Sequence, residues 1–234
     1  MRALSGPDVL DLWEMGVSLH PLDRGLLALS VADPSATGSV ADWPLGRRNR
    51  ALLDLHASWF GPRLHGWTSC PSCGEKVEFE LDARELASAA HDRQSQDAVT
   101  IGNRAFRLPT SRDVAHVLAR HGAASAATDL IDRCRLDGPE PAEWTADLLE
   151  AVEDTLASAD PLAETRLALN CPSCAREWDD VFDAGRFLWA EVESRARRLL
   201  WDVHTLASAY GWTESESLAL GDARRAMYLE MVRA

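Results

Sequence analysis

The word Cys-Pro-Ser-Cys occurs twice, at Cys70 to Cys73 and at Cys171 to Cys174, and takes four of the five cysteines in the chain. A C-x2-C turn presents two thiolates from one tight loop, and two such turns complete a tetrahedral four-cysteine zinc site. No other feature constrains the fold as much, because residues near 70 must meet residues near 171, so one fold spans the chain. A disulfide framework is a rival reading. Disulfide-built secreted domains are short and cysteine-dense, and a 234-residue chain with five cysteines is neither. Thioredoxin-like redox chemistry is a third reading of C-x-x-C, weakened by the matched pair. The expected cofactor is therefore structural Zn2+ on Cys70, Cys73, Cys171 and Cys174. Cys134 has no partner motif and reads as a small buried apolar side chain.

The flanks of the two words repeat as well. Trp67-Thr68-Ser69 leads into the first, and Gly74 follows it where the turn needs a small residue. Val77-Glu78-Phe79-Glu80-Leu81 then alternates as a half-exposed strand does. Arg166-Leu167-Ala168-Leu169 enters the second word, and Trp178 to Phe182 leaves it as another short strand. The expected class is mainly α with a small split β zinc ribbon (α+β), carrying a helical insert between the two zinc knuckles. Four segments follow: 1–66, N-terminal and helical; 67–82 with 167–183, the split ribbon; 83–166, a mostly helical insert with one hairpin; and 184–234, a C-terminal helical hairpin.

Helical periodicity is plainest over Pro7 to Gly16, Pro21 to Ala32 and Leu45 to Trp59, the last stopped by Gly61-Pro62. Asp33 to Thr37 reads as a loop. Within the insert, Ala83 to Ala90 reads as a short helix. Val99 to Ile101 and Ala105 to Leu108 read as a hairpin about Gly102-Asn103. Helices follow at Arg112 to His121, capped by Thr110 or Ser111, at Ala126 to Arg135 and at Trp144 to Ser158, the last two divided by Gly138-Pro139 and Pro141. In the tail, Gly185 to Tyr210 carries an apolar stripe and Gly211 sits where a left-handed residue is wanted. Thr213-x-x-Glu216 forms a capping box, and Asp222 can cap a last helix, Ala223 to Val232.

Net charge is −13, against the basic footprint of nucleic-acid binders. No apolar run reaches the ~18 residues of a membrane span. Asp8, Asp11 and Glu14 interrupt the N-terminal apolar stretch, unlike a secretory signal, so a cytoplasmic chain is expected. No P-loop, G-x-S-x-G, G-x-G-x-x-G or H-E-x-x-H is present. The seven histidines form no ligand pair, and the Asp179, Asp180, Asp183 group reads as a strand end leading into a helix N-terminus. Four cysteine ligands would close a zinc site to substrate, so no enzymatic activity is expected.

The tail has a distinctive order: Phe187-Leu188-Trp189-Ala190-Glu191, then Leu199-Leu200-Trp201-Asp202-Val203-His204-Thr205-Leu206-Ala207, then Tyr210-Gly211-Trp212, and Arg224-Arg225-Ala226-Met227-Tyr228-Leu229. This resembles the baseplate and tail-hub assembly proteins of contractile phage tails and bacterial contractile injection systems. The C-P-x-C knuckles and Phe60-Gly61-Pro62-Arg63 look similar to relatives in such clusters. The likeness covers about 167–232, more loosely 43–82, and little of 83–166. It implies a structural or chaperone-like protein with no catalytic residues, whose partners are baseplate or hub proteins of a contractile tail-like particle. The docking element would be Gly185 to Val232, through Arg195, Arg198, Trp212, Arg224, Arg225 and Tyr228 together with the Trp189 and Trp201 rings, since aromatics and Arg are enriched at interface hot spots. The alternative is a zinc-ribbon adaptor binding nucleic acid or a transcription-type complex, which the acidity disfavours.

Overall fold

A computed structural model describes residues 4–34, 39–89, 98–120, 126–137 and 144–233. Three helices open it: α1 (Gly6–Gly16), α2 (Pro21–Ala32) and α3 (Leu45–Trp59). Each start has a local cause. Ser5 and Asp8 form a reciprocal capping box before α1. Pro21 supplies a preset φ at the first position of α2, where its missing N–H is no loss. After α3 the chain turns through Gly61 at φ +95 into β1 (Arg63–Ser69), which pairs antiparallel with β2 (Lys76–Asp82), and α4 (Ala83–Ala89) follows.

Next come β3 (Ala98–Ile101), β4 (Arg104–Arg107), α5 (Ser111–Arg120), α6 (Ala126–Cys134), β5 (Arg135–Asp137) and α7 (Ala146–Ala159). A second antiparallel hairpin, β6 (Thr165–Asn170) and β7 (Glu177–Phe182), leads into α8 (Ala184–Tyr210), then α9 (Glu214–Leu218) and α10 (Asp222–Arg233). The described residues are mainly helical with three small antiparallel sheets, an α+β arrangement.

The principal core joins both ends of the sequence. Leu52, Leu53 and Leu55 of α3 pack with Leu64 of β1, Phe182 of β7 and Leu188 of α8. Helix α1 lies on the same long helix through Val9 and Leu10 against Ala196 and Leu199. A separate cluster forms between the hairpins in sequence, from Val99, Phe106, Leu108, Ile131, Val152 and Leu156. The two clusters are tied by polar contacts: Leu45 N–H to the Pro109 carbonyl at 3.0 Å, Arg48 to Ser111 at 3.0 Å, and Gly46 N–H to Asp160 at 2.8 Å.

Three expectations need correcting. Trp67 to Ser69 is the end of a full strand, β1, whose irregular composition hid it; Gly66 lies where a side chain would meet the Phe79 ring at 2.5 Å. Arg135 leaves helix α6 and starts β5, a third strand on β4, with the Ala105 N–H donating to Asp137 Oδ1 at 3.0 Å. Asp222 is the first residue of α10 and not the residue before it: the Arg225 N–H donates to the Gly221 carbonyl at 3.0 Å, and the Asp222 carboxylate accepts from the Arg225 and Arg195 side chains at 2.6 and 3.3 Å. The expected break at Gly138-Pro139 and Pro141, most of the Asp33–Thr37 loop, and the expected helix ends at Ala90 and His121 lie outside the described residues.

Candidate metal centre

Each Cys-Pro-Ser-Cys word forms the tip of a hairpin. β1 and β2 pair as far as Ser69 and Lys76, and the chain from Cys70 to Glu75 closes the end. β6 and β7 pair as far as Asn170 and Glu177, leaving Cys171 to Arg176 in the same role. The tips share their hydrogen bonds. The Cys70 N–H donates to Glu75 O at 2.8 Å and the Gly74 N–H to Cys70 O at 2.9 Å. The counterparts, Cys171 N–H to Arg176 O and Ala175 N–H to Cys171 O, are both 2.9 Å. This geometry needs a left-handed residue after the second cysteine. Gly74 supplies it at φ +76, whereas Ala175 adopts φ +55 against the preference of an L side chain.

The two tips face each other, and the four sulfurs lie within 4.8 Å of one another. Cys70 Sγ is 3.6 Å from Cys174 Sγ, and Cys73 Sγ is 3.6 Å from Cys171 Sγ. Disulfide sulfurs would be bonded at about 2.05 Å, so all four thiols are free. A tetrahedral ion with metal–sulfur bonds of about 2.3 Å sets its ligands about 3.8 Å apart, so the cluster has the dimensions and the donor set of a metal site. Cys70 and Cys171 are buried with Val77 and Trp178 beside them, while Cys73 and Cys174 face solvent.

The electrostatics point the same way. Burial raises the Cys70 thiol, but the amides of Cys73 and Ser72 and the neighbouring thiols outweigh it and bring it down to about 6. At Cys73 the Glu75 amide favours the thiolate, yet Cys174 and Cys171 outweigh it and push the group up to about 12. Cys70 thus gives up its proton more readily than an ordinary thiol and Cys73 less readily, a conflict that a bound cation would relieve. His65 takes no part: it is exposed, with Nδ1 3.6 Å from Glu80.

The residues expected to dock a partner are placed differently from one another, and Trp189, 5 % exposed in the core beside Leu12 and Val192, is not available to one. Tyr210, Trp212 and Tyr228 form one cluster, with Trp212 stacked on Tyr210 at 4.9 Å and edge-on to Tyr228 at 4.9 Å, so the Trp212 and Tyr228 rings are engaged within the fold. Arg225 is a correction. It is 6 % exposed and bonded to Asp222 at 2.6 Å, Asp202 at 3.4 Å and the Leu220 carbonyl at 3.3 Å, so it fastens α10 to α8 and presents nothing outward. Arg195 pairs with Asp222 at 3.3 Å. Arg198 and Arg224 are exposed, with no carboxylate partner among the described residues.

Sequence reasoning missed the crevice beside these residues, a hollow of about 670 Å³ between α8, α10 and the end of α3. Arg198, Trp201, Glu230, Trp59 and Phe60 line it, and Trp201 is 63 % exposed. Its only sequence signal is a Trp on the polar side of the α8 stripe. Cys134 is fully buried, with burial raising its thiol to about 11.

No family model, curated protein or solved structure matches the chain. Among the described residues no helix is long and apolar enough to cross a membrane.

Proposed function

We propose that this chain is a non-enzymatic assembly protein, structural or chaperone-like, for the baseplate or hub of a contractile phage-tail-like particle, and that the paired hairpins are a split zinc ribbon holding Zn2+. The observation that carries the structural part of this reading is the convergence of Cys70, Cys73, Cys171 and Cys174 from opposite parts of the sequence. Four sulfur donors leave a zinc ion no open position, which suits a cross-link and not a catalyst. The ion would hold the hairpin after α3 to the hairpin before α8, and so fix the chain segments that feed the main core. Residues 83–166 are then an insert between the halves of the ribbon.

The baseplate assignment rests on the tail order quoted above. It is supported by the solvent-facing Trp201 and Arg198 on α8, a ring and a cation of the kind that anchor protein contacts. Affinity purification from the native host followed by mass spectrometry tests it. Recovery of tail-tube, baseplate or hub proteins is expected, and recovery of nucleic acid or transcription proteins alone would overturn it. Elemental analysis tests the ion separately, with zinc expected at one per chain and iron or no metal counting against it.

A further inference from the structure

A second hollow, of about 660 Å³, lies between α6, α7 and the start of α3, with Arg166 at the start of β6 on one side. Helix α6 leans on α5 and β4, whereas α7 leans on β3, so the two helices have different supports and leave a trough between them. Its floor is apolar: Ile131 and Leu156 are buried there, with Leu130, Leu45 and Pro109 beside them.

Its rim is acidic. Glu153 and Asp154 stand exposed on α7, and neither has a basic partner among the described residues. Glu164 follows on the far side. The single cation among the lining residues, Arg166, is already engaged by Glu164 at 2.6 Å. Asp160 closes one end. It is 8 % exposed and holds the Gly46 N–H, and burial raises its carboxyl above the usual range.

We infer that this trough is a docking groove for a basic amphipathic helix of a partner protein, whose apolar side chains fill the space between α6 and α7 and whose Lys or Arg residues meet Glu153 and Asp154, the rim carboxylates that no cation balances among the described residues. An apolar floor takes the apolar face of a helix as grooves of this kind do. The volume admits two or three bulky side chains, within the range of ordinary ligand clefts. Unbalanced carboxylates on the rim repel an acidic or neutral segment and select a cationic one. A second copy of this chain is a poor occupant, since two chains of net charge −13 repel. The inference is independent of the ion and of the α8 surface, so it can fail while the assembly reading stands.

The test uses the full-length, metal-loaded chain and a fluorescein-labelled Leu/Lys amphipathic peptide of about four helical turns, roughly 14 residues, followed by anisotropy. Two controls are a scrambled peptide and a Leu/Glu peptide. The amphipathic basic peptide is expected to bind with saturation, and hydrogen exchange is expected to slow in α6 and α7. Glu153→Lys/Asp154→Lys should weaken binding by about tenfold or more. Ala157→Trp, which fills the trough from an exposed position, should do the same without changing charge. Asp11→Lys/Glu14→Lys, an equal charge change on the exposed face of α1, should leave it within about twofold. Equal loss from both charge reversals, or binding indifferent to Ala157→Trp, would mean general electrostatic attraction and overturn the proposal. Concentration-dependent self-association abolished by Ala157→Trp would also overturn it, by making a second copy the occupant.

Discussion

Gly46 and Asp160 meet at a distance that admits no side chain between them. The Gly46 N–H donates to Asp160 Oδ2 at 2.8 Å, and a Cβ on Gly46 would fall 1.7 Å from Oδ1 of the same carboxylate. Gly46 lies in the first turn of α3, where backbone N–H groups have no partner within the helix and the dipole favours a negative charge. Asp160 at the end of α7 supplies both needs, and this contact couples the main core to the cluster around Phe106. Gly46→Ala is expected to cost about 3 kcal/mol, combining overpacking with a lost buried charge-assisted hydrogen bond. Urea unfolding measures it. A change below about 0.5 kcal/mol, the usual range for an innocuous surface substitution, would show that the carboxylate moves aside without penalty.

Asp113 is the other buried carboxylate with an organising role. It accepts two bonds from Arg107, at 2.6 and 2.8 Å, one from Arg133 at 3.2 Å, and the N–H and hydroxyl of Thr110 at 3.0 and 2.7 Å. Burial opposes its charge, but Arg107 and Thr110 outweigh burial and bring the carboxyl down to about 2. The folded value lies below the unfolded one, so its contribution is fully present above about pH 4 and is lost as pH falls toward 2. The linkage is worth about 2 kcal/mol at neutral pH. Asp113→Asn should be less stable at pH 7 by a few kcal/mol, roughly 3, because two arginines lose their counter-charge. Its stability should also fall less steeply between about pH 4 and pH 2 than that of the parent chain. Parallel acid limbs in the two proteins would contradict the assignment.

Ala175 holds in the second hairpin the left-handed place that Gly74 holds in the first. Ala175→Gly should therefore stabilise the chain by about 0.5–1 kcal/mol, the relief of backbone strain exceeding the added freedom of the unfolded chain. Gly74→Ala should destabilise it by a similar amount, since a Cβ there meets no atom within 4 Å and only the backbone conformation objects. Thermal unfolding of both variants in the presence of metal measures the pair, and effects of the same sign would refute the mirrored roles.

How much of this is visible in the sequence depends on the range of the cause. Features fixed within one turn are legible: α2 and α3 span the residues that their apolar spacing marks, the Thr213–Glu216 box caps α9, and Gly211 ends α8 at φ +69. The meeting of the four cysteines is long-range, yet it is legible because chemistry specific to sulfur repeats at fixed spacing. What escapes is set by tertiary contact without local pattern. Strand β1 alternates in burial, but Gly66 and Thr68 stand on its inner face and Trp67 on its outer face, so its residue types conceal the pattern and its pairing with β2 defines it. Arg225 reads like Arg224 beside it, but Asp202 on a different helix turns it inward. Gly46 carries no local sign of the carboxylate that excludes its side chain.

If zinc is the cross-link between the hairpins, its binding free energy is part of the folding free energy. Cys73→Ser, at an exposed corner, should abolish stoichiometric metal and lower stability by several kcal/mol, about 3 or more. A high-affinity chelator should lower the melting temperature of the parent chain and leave that of the variant unchanged. A parent chain that melts identically with and without chelator would refute a structural ion.

The α8 surface separates docking from folding. Trp201 and Arg198 face solvent in the crevice toward α10, whereas Arg225 is inside, so a useful test must spare Arg225. Truncating an exposed ring and reversing an exposed charge disturbs little packing, so Trp201→Ala/Arg198→Glu should keep the parent stability within about 0.5 kcal/mol and retain the metal. A central aromatic and its neighbouring Arg commonly carry about 2 kcal/mol or more of a protein interface. If the tail docks baseplate or hub proteins as proposed, their recovery in a pull-down should then fall by about tenfold or more. Arg225→Glu offers the contrast: it should lose partners only together with stability, because it buries an acid beside Asp202 and Asp222. Full recovery of every partner by the stable double variant would remove α8 as the docking face and leave the α6–α7 trough as the surface to examine next.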